Sequence, residues 1–254
     1  MKKKLIFALI ITTLLSCSTK KDILYFQDID VTAQKDVVYS QNNVQINDIL
    51  SISVSAIIPE TALPYNQKYY SNNAMGSGEA NSKLSGYLVN SEGTITFPIL
   101  GKIEVLGKTI NEIEDIIEKK LIDKGQLVEP IVNVRVINAK ITILGNVNQA
   151  GTFPYYEQNL TLLQAIGDAG DLSMSGKRND ILIIREENGK RTYGRIDLRK
   201  TDWFDGPYYY VKQNDIIYVN PNGPMVKSAG YITNLQGVIG LFFTGLSLIL
   251  LLTR

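Results

Sequence analysis

The alternation of apolar and polar positions along this chain changes period several times, and each change marks an element. Gln45 to Ser55 carries Ile46, Ile49, Ile52 and Val54 as the apolar members of a strand. Asn90 to Gly93 is turn chemistry between two short β-prone runs and predicts a hairpin. Gly101 and Gly107 bound a further strand, Ile103 to Leu106. The period then becomes helical: Ile110, Ile113, Ile117 and Leu121 form one stripe, with Ile116 beside it. Thr109 and Glu112 have the spacing of a capping box, and Gly125 closes the helix. Val132, Val134 and Val136 alternate along a return strand, Ile131 to Ile137.

Lys140 to Pro221 reads as a second unit. Ile141 to Gly145 is a strand, and Gly151-Thr152-Phe153-Pro154 turns into another. Thr161 with Gln164 is a second capping box; it opens a short helix with Leu162, Leu163 and Ile166 inside, closed by Gly170. Asn188-Gly189 lies between Ile181 to Arg185 and Arg191 to Ile196, the strongest short hairpin signal in the chain. The fold class is therefore α/β (α+β) in two units. One short internal echo links them: Val44-Gln45-Ile46-Asn47-Asp48-Ile49-Leu50 resembles Val211-Lys212-Gln213-Asn214-Asp215-Ile216-Ile217. Both read as an Asn-Asp turn launching an apolar strand.

Composition narrows the chemistry. The 254 residues carry a net charge of +1, so nothing pulls the chain toward nucleic acid. There is no histidine and one cysteine, Cys17, which excludes a Ser-His-Asp triad, a Cys-His pair, a His/Cys metal cluster and an internal disulfide. Carboxylates such as Asp168 and Asp171 sit where caps and solvated faces are expected. No catalytic residue, metal or cofactor is expected, and the chain is not read as an enzyme.

The ordered set Asn47-Asp48-Ile49-Leu50-Ser51-Ile52, Gly93-Thr94-Ile95-Thr96-Phe97-Pro98-Ile99-Leu100-Gly101 and Pro130-Ile131-Val132-Asn133-Val134-Arg135-Val136 resembles the polysaccharide biosynthesis/export domain of Wza-type outer-membrane exporters. Asn47 departs from the family, which usually has Gly there. Val147 to Phe153, Leu162 to Gly170 and Asn214 to Val219 resemble the β-grasp-like SLBB domain that follows it in that family. The family often has Gly-Gly where this chain has Gly170-Asp171, and the sequence has room for one such unit.

Both ends look membrane-directed. Lys2 to Lys4 precede the eleven-residue apolar run Leu5 to Leu15, which ends Leu14-Leu15-Ser16-Cys17 and resembles a bacterial lipobox with Cys17 as the lipid attachment site. Gly237 to Leu252 is sixteen residues without a charge, roughly 24 Å of helix and close to the thinner outer membrane. Gly230, Thr233, Gly237, Gly240, Thr244 and Ser247 recur at spacings of three and four and form one small-residue stripe on it. Such a stripe packs a neighbouring helix or lines a lumen; a plain single-pass anchor is the alternative.

The expected organisation is a lipoprotein signal peptide (1–16), a lipidated tether (17–40) with a short ordered piece near Ile23 to Phe26, an export domain (41–139), an SLBB-like domain (140–222) and a C-terminal membrane helix (226–254). Pro59 to Gly86 reads as a long loop, where Tyr65, Tyr69 and Tyr70, with Tyr87 just beyond, could stack on sugars, though exposed loop aromatics or interface packing is the favoured reading. The resemblance implies a homo-oligomeric ring in the outer membrane that takes capsule or exopolysaccharide from an inner-membrane polysaccharide copolymerase, most of each subunit being periplasmic. A lipoprotein that binds or scaffolds glycan without forming a pore is the alternative.

Overall fold

In the computed structural model, the described residues are 20–31, 36–39, 42–66, 86–187, 189–228, 237, 239–240, 242–245 and 247. The first unit runs Ile49–Ser55 (β1), Pro59–Ala62 (α1), Tyr87–Leu88 (β2), Thr94–Phe97 (β3), Gly101–Glu104 (β4), Ile110–Asp123 (α2) and Ile131–Val136 (β5). Its sheet has the antiparallel order β2-β1-β5, and among the described residues β3 pairs only with β4.

That pairing corrects the expected hairpin. The Asn90–Gly93 turn forms, with the Gly93 N–H donating to the Asn90 carbonyl at 2.9 Å. The runs flanking it do not pair. Leu88 and Tyr87 sit opposite Ile49 and Leu50, and Ile95 sits opposite Ile103. Around the turn before β1, the Val89 N–H donates to the Asp48 carbonyl at 2.8 Å and the Asn47 N–H to the Val89 carbonyl at 3.0 Å, which commits this segment to β1. β3 turns back through Pro98 to Leu100 instead, where Ile99 and Gly101 both take positive φ. The next strand ends at Glu104, earlier than expected, because the Val105 and Leu106 N–H groups both turn to the Gly93 carbonyl. β1 likewise begins at Ile49: Asn47 has φ +71, Val44 is buried and Ile46 is 41% exposed.

The helix α2 forms as its sequence dictates. The Thr109 hydroxyl accepts from the Glu112 N–H, and the Glu112 carboxylate accepts from the Thr109 N–H at 2.8 Å. At the other end the Gly125 N–H donates to the Ile122 carbonyl and the Gln126 N–H to the Leu121 carbonyl, a Schellman closure that needs the left-handed Gly125. Ile113, Ile117 and Leu121 are fully buried in a core with Leu50, Ile95, Phe97 and Val134. Glu114 and Glu118, one turn apart on the same helix, accept the Val134 and Val132 N–H groups at 2.8 and 3.0 Å. They cap the edge of β5 that no strand covers, among the described residues.

The second unit runs Lys140–Gly145 (β6), Gly151–Pro154 (β7), Leu162–Asp168 (α3), Gly176–Glu187 (β8), Lys190–Ile196 (β9) and Ile216–Pro221 (β10), followed by Gly223–Ser228 (α4). Its sheet order is β7-β6-β10-β8-β9, with β10 central, parallel to β6 and antiparallel to β8. The β8–β9 hairpin closes where expected, Glu187 opposite Lys190; Asn188 lies outside the described residues. The Thr161–Gln164 capping box is formed on both arms. Leu162, Ala165 and Ile166 enter a second core with Ile141, Ile183, Trp203 and Ile217.

The ordered piece near Ile23 to Phe26 is a strap on this second unit. The Phe26 and Gln27 N–H groups donate to the Leu198 and Arg199 carbonyls, and the Tyr25 hydroxyl donates to Asp171 at 2.6 Å. Burial, then the Asp171 carboxylate, pushes the Tyr25 phenol well above its ordinary pKa.

Candidate functional site

The two Asn-Asp turns fold alike. Asn47 and Asn214 take φ +71 and +63. Asp48 and Asp215 follow with exposures of 2% and 0%. Each carboxylate accepts the backbone N–H three residues before it: Gln45 to Asp48 at 2.9 Å and Lys212 to Asp215 at 2.8 Å. The positive φ explains why glycine suits the first position and why asparagine can replace it.

The two turns differ in what neutralises the buried carboxylate. Asp215 is held by Arg185, whose Nε and Nη2 lie 3.0 and 2.7 Å from its oxygens. That guanidinium also donates to the Pro207 and Tyr210 carbonyls and lies over the Tyr208 ring. Burial still raises the Asp215 carboxyl against the pull of Arg185. Asp48 has no cation partner among the described residues. It accepts instead from the Gln213 amide of the second unit, 2.5 Å away. Burial pushes its pKa up to about 6, with the Gln45 N–H and Gln213 pulling the other way.

Asp48 and Gln213 line the floor of a cleft between the two units, with a volume of about 760 Å³. That size lies within the usual range of small-molecule sites, which favour domain interfaces. The first unit contributes Asn43, Gln45 and Asn111 to the walls; the second contributes Tyr155, Tyr156, Gln158 and Asn159. Asn42 Nδ2 donates across the gap to the Gln158 carbonyl at 3.0 Å. Tyr155 is buried, and burial with the charges of Asp215 and Asp48 holds its phenol protonated. Tyr156 is 79% exposed. The Lys212 ammonium is tied to Glu187 at 2.8 Å. Two amide oxygens on the lining residues, Asn42 Oδ1 and Asn159 Oδ1, are enclosed without a hydrogen-bond partner among the described residues. The surface thus combines neutral donors and acceptors with the exposed charges of Arg135 and Glu157 and one buried, uncompensated carboxyl, Asp48. Among the described residues no group of three or more His, Cys, Asp or Glu side chains could hold a metal ion.

The residues singled out by sequence fall elsewhere. Tyr65 is corrected outright: it is 3% exposed, stacks on Phe97 and donates to Gln126, so its ring has no face for a sugar. An apolar pocket beside Phe97 outcompetes solvent for that ring. Tyr87 is half-buried against Phe97 as well. The loop's opening is the short helix α1 and a 3-10 turn, Leu63–Tyr65. Tyr69, Tyr70, Cys17, Gly230 and Thr233 lie outside the described residues. Gly237, Gly240, Thr244 and Ser247 are helical and exposed. The Thr244 hydroxyl donates back to the Gly240 carbonyl at 2.9 Å and the Ser247 hydroxyl to the Thr244 carbonyl at 2.8 Å. Among the described residues no helix is long and apolar enough to cross a membrane. The cleft itself went unread in the sequence. Its one signal was the internal echo, which marks Asp48 and Asp215 as twins but not that only one has an arginine.

Comparison with known proteins finds one family model and several relatives. The family model described as polysaccharide biosynthesis/export protein matches residues 37–137, the first unit. The chain is 27% identical over 202 residues to the EPS I polysaccharide export outer membrane protein EpsA of Ralstonia solanacearum, covering 76% of this chain and 51% of that protein. It is 27% identical over 179 residues to the capsule polysaccharide export outer membrane protein CtrA of Neisseria meningitidis, covering 69% and 44%. Over 140 residues it is 26% identical to the capsule polysaccharide export protein BexD of Haemophilus influenzae, covering 55% and 34%. The chain thus spans about half the length, or less, of these curated relatives.

Proposed function

We propose that this chain, whose residues 37–137 match the family model described as polysaccharide biosynthesis/export protein, is a member of that family and a subunit of an outer-membrane assembly that exports capsule or exopolysaccharide. The observation that carries the reading is the coincidence of the family match with a unit that has its own core, from Val44 to Val134. Each relative named above is itself a polysaccharide export protein.

The finer reading is a ring of identical subunits, lipidated at Cys17, with most of each chain in the periplasm and an inner-membrane copolymerase as the donor. The second unit serves as the SLBB-like layer. Its support is the strand order, two hairpins flanking a central strand with one helix between them, as in a β-grasp. The strap through Phe26 supports a short tether, because the second unit is gripped within ten residues of Cys17. The C-terminal helix serves as the membrane element. In support, its Thr244 and Ser247 hydroxyls are satisfied by their own helix, as lipid demands, while Phe242 and Phe243 are exposed. One such helix encloses nothing, so a pore requires several copies.

Negative-stain imaging of the detergent-extracted full chain tests the ring: closed rings support it, and uniform monomers return the chain to a lipoprotein that holds glycan without a pore. Intact mass of the membrane form tests the anchor, which predicts acyl mass at Cys17 and its loss, with release from the membrane, in Cys17→Ala.

A further inference from the structure

The geometry of the cleft points to a saccharide subsite, in which Asp48 and the neighbouring amides take hydroxyl groups of a short stretch of the exported chain while Tyr156 stacks on a sugar face; we propose this as an extension of the export reading above.

The twin turns supply the first reason. A carboxylate offers about four acceptor sites. At Asp215, two guanidinium N–H groups of Arg185 and the Lys212 N–H occupy three, and the arginine neutralises the charge. At Asp48, the Gln45 N–H and the Gln213 amide occupy two, and no cation is paired with it among the described residues. Asp48 is only 2% exposed, and it lines the cleft. A buried carboxyl in that condition calls for further donors, and adjacent hydroxyls of a sugar match its two oxygens. The raised pKa of Asp48 agrees with a group still short of partners.

The walls supply the second. Asn43, Gln45, Asn111, Gln158 and Asn159 each offer a donor and an acceptor on one uncharged group, which suits hydroxyls that both give and take hydrogen bonds. The lining also carries the charges of Arg135 and Glu157, while Lys212 is paired with Glu187, so it is the amides, and not a lack of cations, that favour hydroxyls. The unpartnered Asn42 and Asn159 oxygens are further acceptors on the lining residues.

The rim supplies the third. Tyr156 is 79% exposed and, among the described residues, packs on no other ring. An aromatic face beside a polar floor fits the two sides of a pyranose, C–H on the face and hydroxyls at the edge.

The test uses the full-length protein in detergent and, as probe, short oligosaccharides released by partial acid hydrolysis of the polysaccharide the same cells export. Calorimetry should show binding to the wild-type protein and a loss of about two- to tenfold in affinity for Tyr156→Ala and for Asp48→Asn. Tyr156→Ala should melt with the wild type, since its side chain is already exposed. The proposal is overturned if both variants bind the probe as the wild type does. It is also overturned if assembly of saccharide-free rings, rather than the probe, protects residues 155–159 from hydrogen exchange, because a second copy would then fill the cleft. The export reading is read separately, by deleting the gene. Loss of surface polysaccharide on deletion, together with normal binding and export by both variants, sinks the cleft alone.

Discussion

Replacing Glu114 and Glu118 with alanine removes the acceptors that cover the free edge of β5. The match between helix and strand is geometric. Four residues of helix rise about 6.0 Å and two residues of strand about 6.6 Å, so carboxylates at i and i+4 meet N–H groups at j and j+2. The observed bonds are 2.8 Å at Val134 and 3.0 Å at Val132. A hydrogen bond to a charged group contributes about 1.5–3 kcal/mol net. Both glutamates are partly exposed, and a held side chain loses rotamer entropy, so each alanine should cost about 1–2 kcal/mol. The double variant should cost about 2–4 kcal/mol if the two act independently. Glu→Gln keeps a carbonyl acceptor and should cost under about 1 kcal/mol, which separates edge capping from charge. Urea unfolding of the full chain by circular dichroism gives the totals, and hydrogen exchange at Val132 and Val134 gives the local effect. A double alanine variant within about 0.5 kcal/mol of wild type, with unchanged protection at both amides, would refute the edge-capping account.

Three further outcomes follow from the same structure. Ile117→Ala, at a fully buried position mid-stripe on α2, should cost about 2–5 kcal/mol in denaturant unfolding, and a near-neutral result would mean the helix does not dock there. Folded Asp48 keeps its proton to about pH 6, whereas its ordinary value is 3.8. Its contribution to stability is therefore complete only well below pH 3.8 and is lost as pH rises through 6, so wild type should lose about 2–2.5 kcal/mol relative to Asp48→Asn between pH 4 and 7. Parallel pH dependence of the two proteins would contradict the uncompensated burial of that carboxyl. Gly240→Leu should impair ring assembly by filling the small-residue stripe, and normal rings with normal export would make the helix a plain anchor.

The elements legible in the sequence are those built from near neighbours. Both capping boxes span three residues, and both formed as spelled. The hairpin at Gly189 and the stripe Ile113, Ile117, Leu121 are equally local. What stayed hidden depends on distant partners. The Asn90–Gly93 turn was visible, but the flank before it is claimed by Asp48 and Asn47, more than forty residues away, while the flank after it pairs with β4. Glu114 and Glu118 look like a solvated helix face until β5 returns beside them. Tyr65 reads as a loop aromatic until Phe97 provides a ring to stack on. The candidate cleft is the extreme case: the echo showed two like turns, and only the fold shows that Arg185 closes one while Gln213 leaves the other facing the gap.

The central claim is that this chain moves polysaccharide to the cell surface, and surface polysaccharide in a clean deletion strain measures it most directly. The account predicts that surface polymer falls to background on deletion and returns with the wild-type gene at native protein levels. Undiminished surface polymer in the deletion strain, with no second copy of the gene to replace it, would contradict the account.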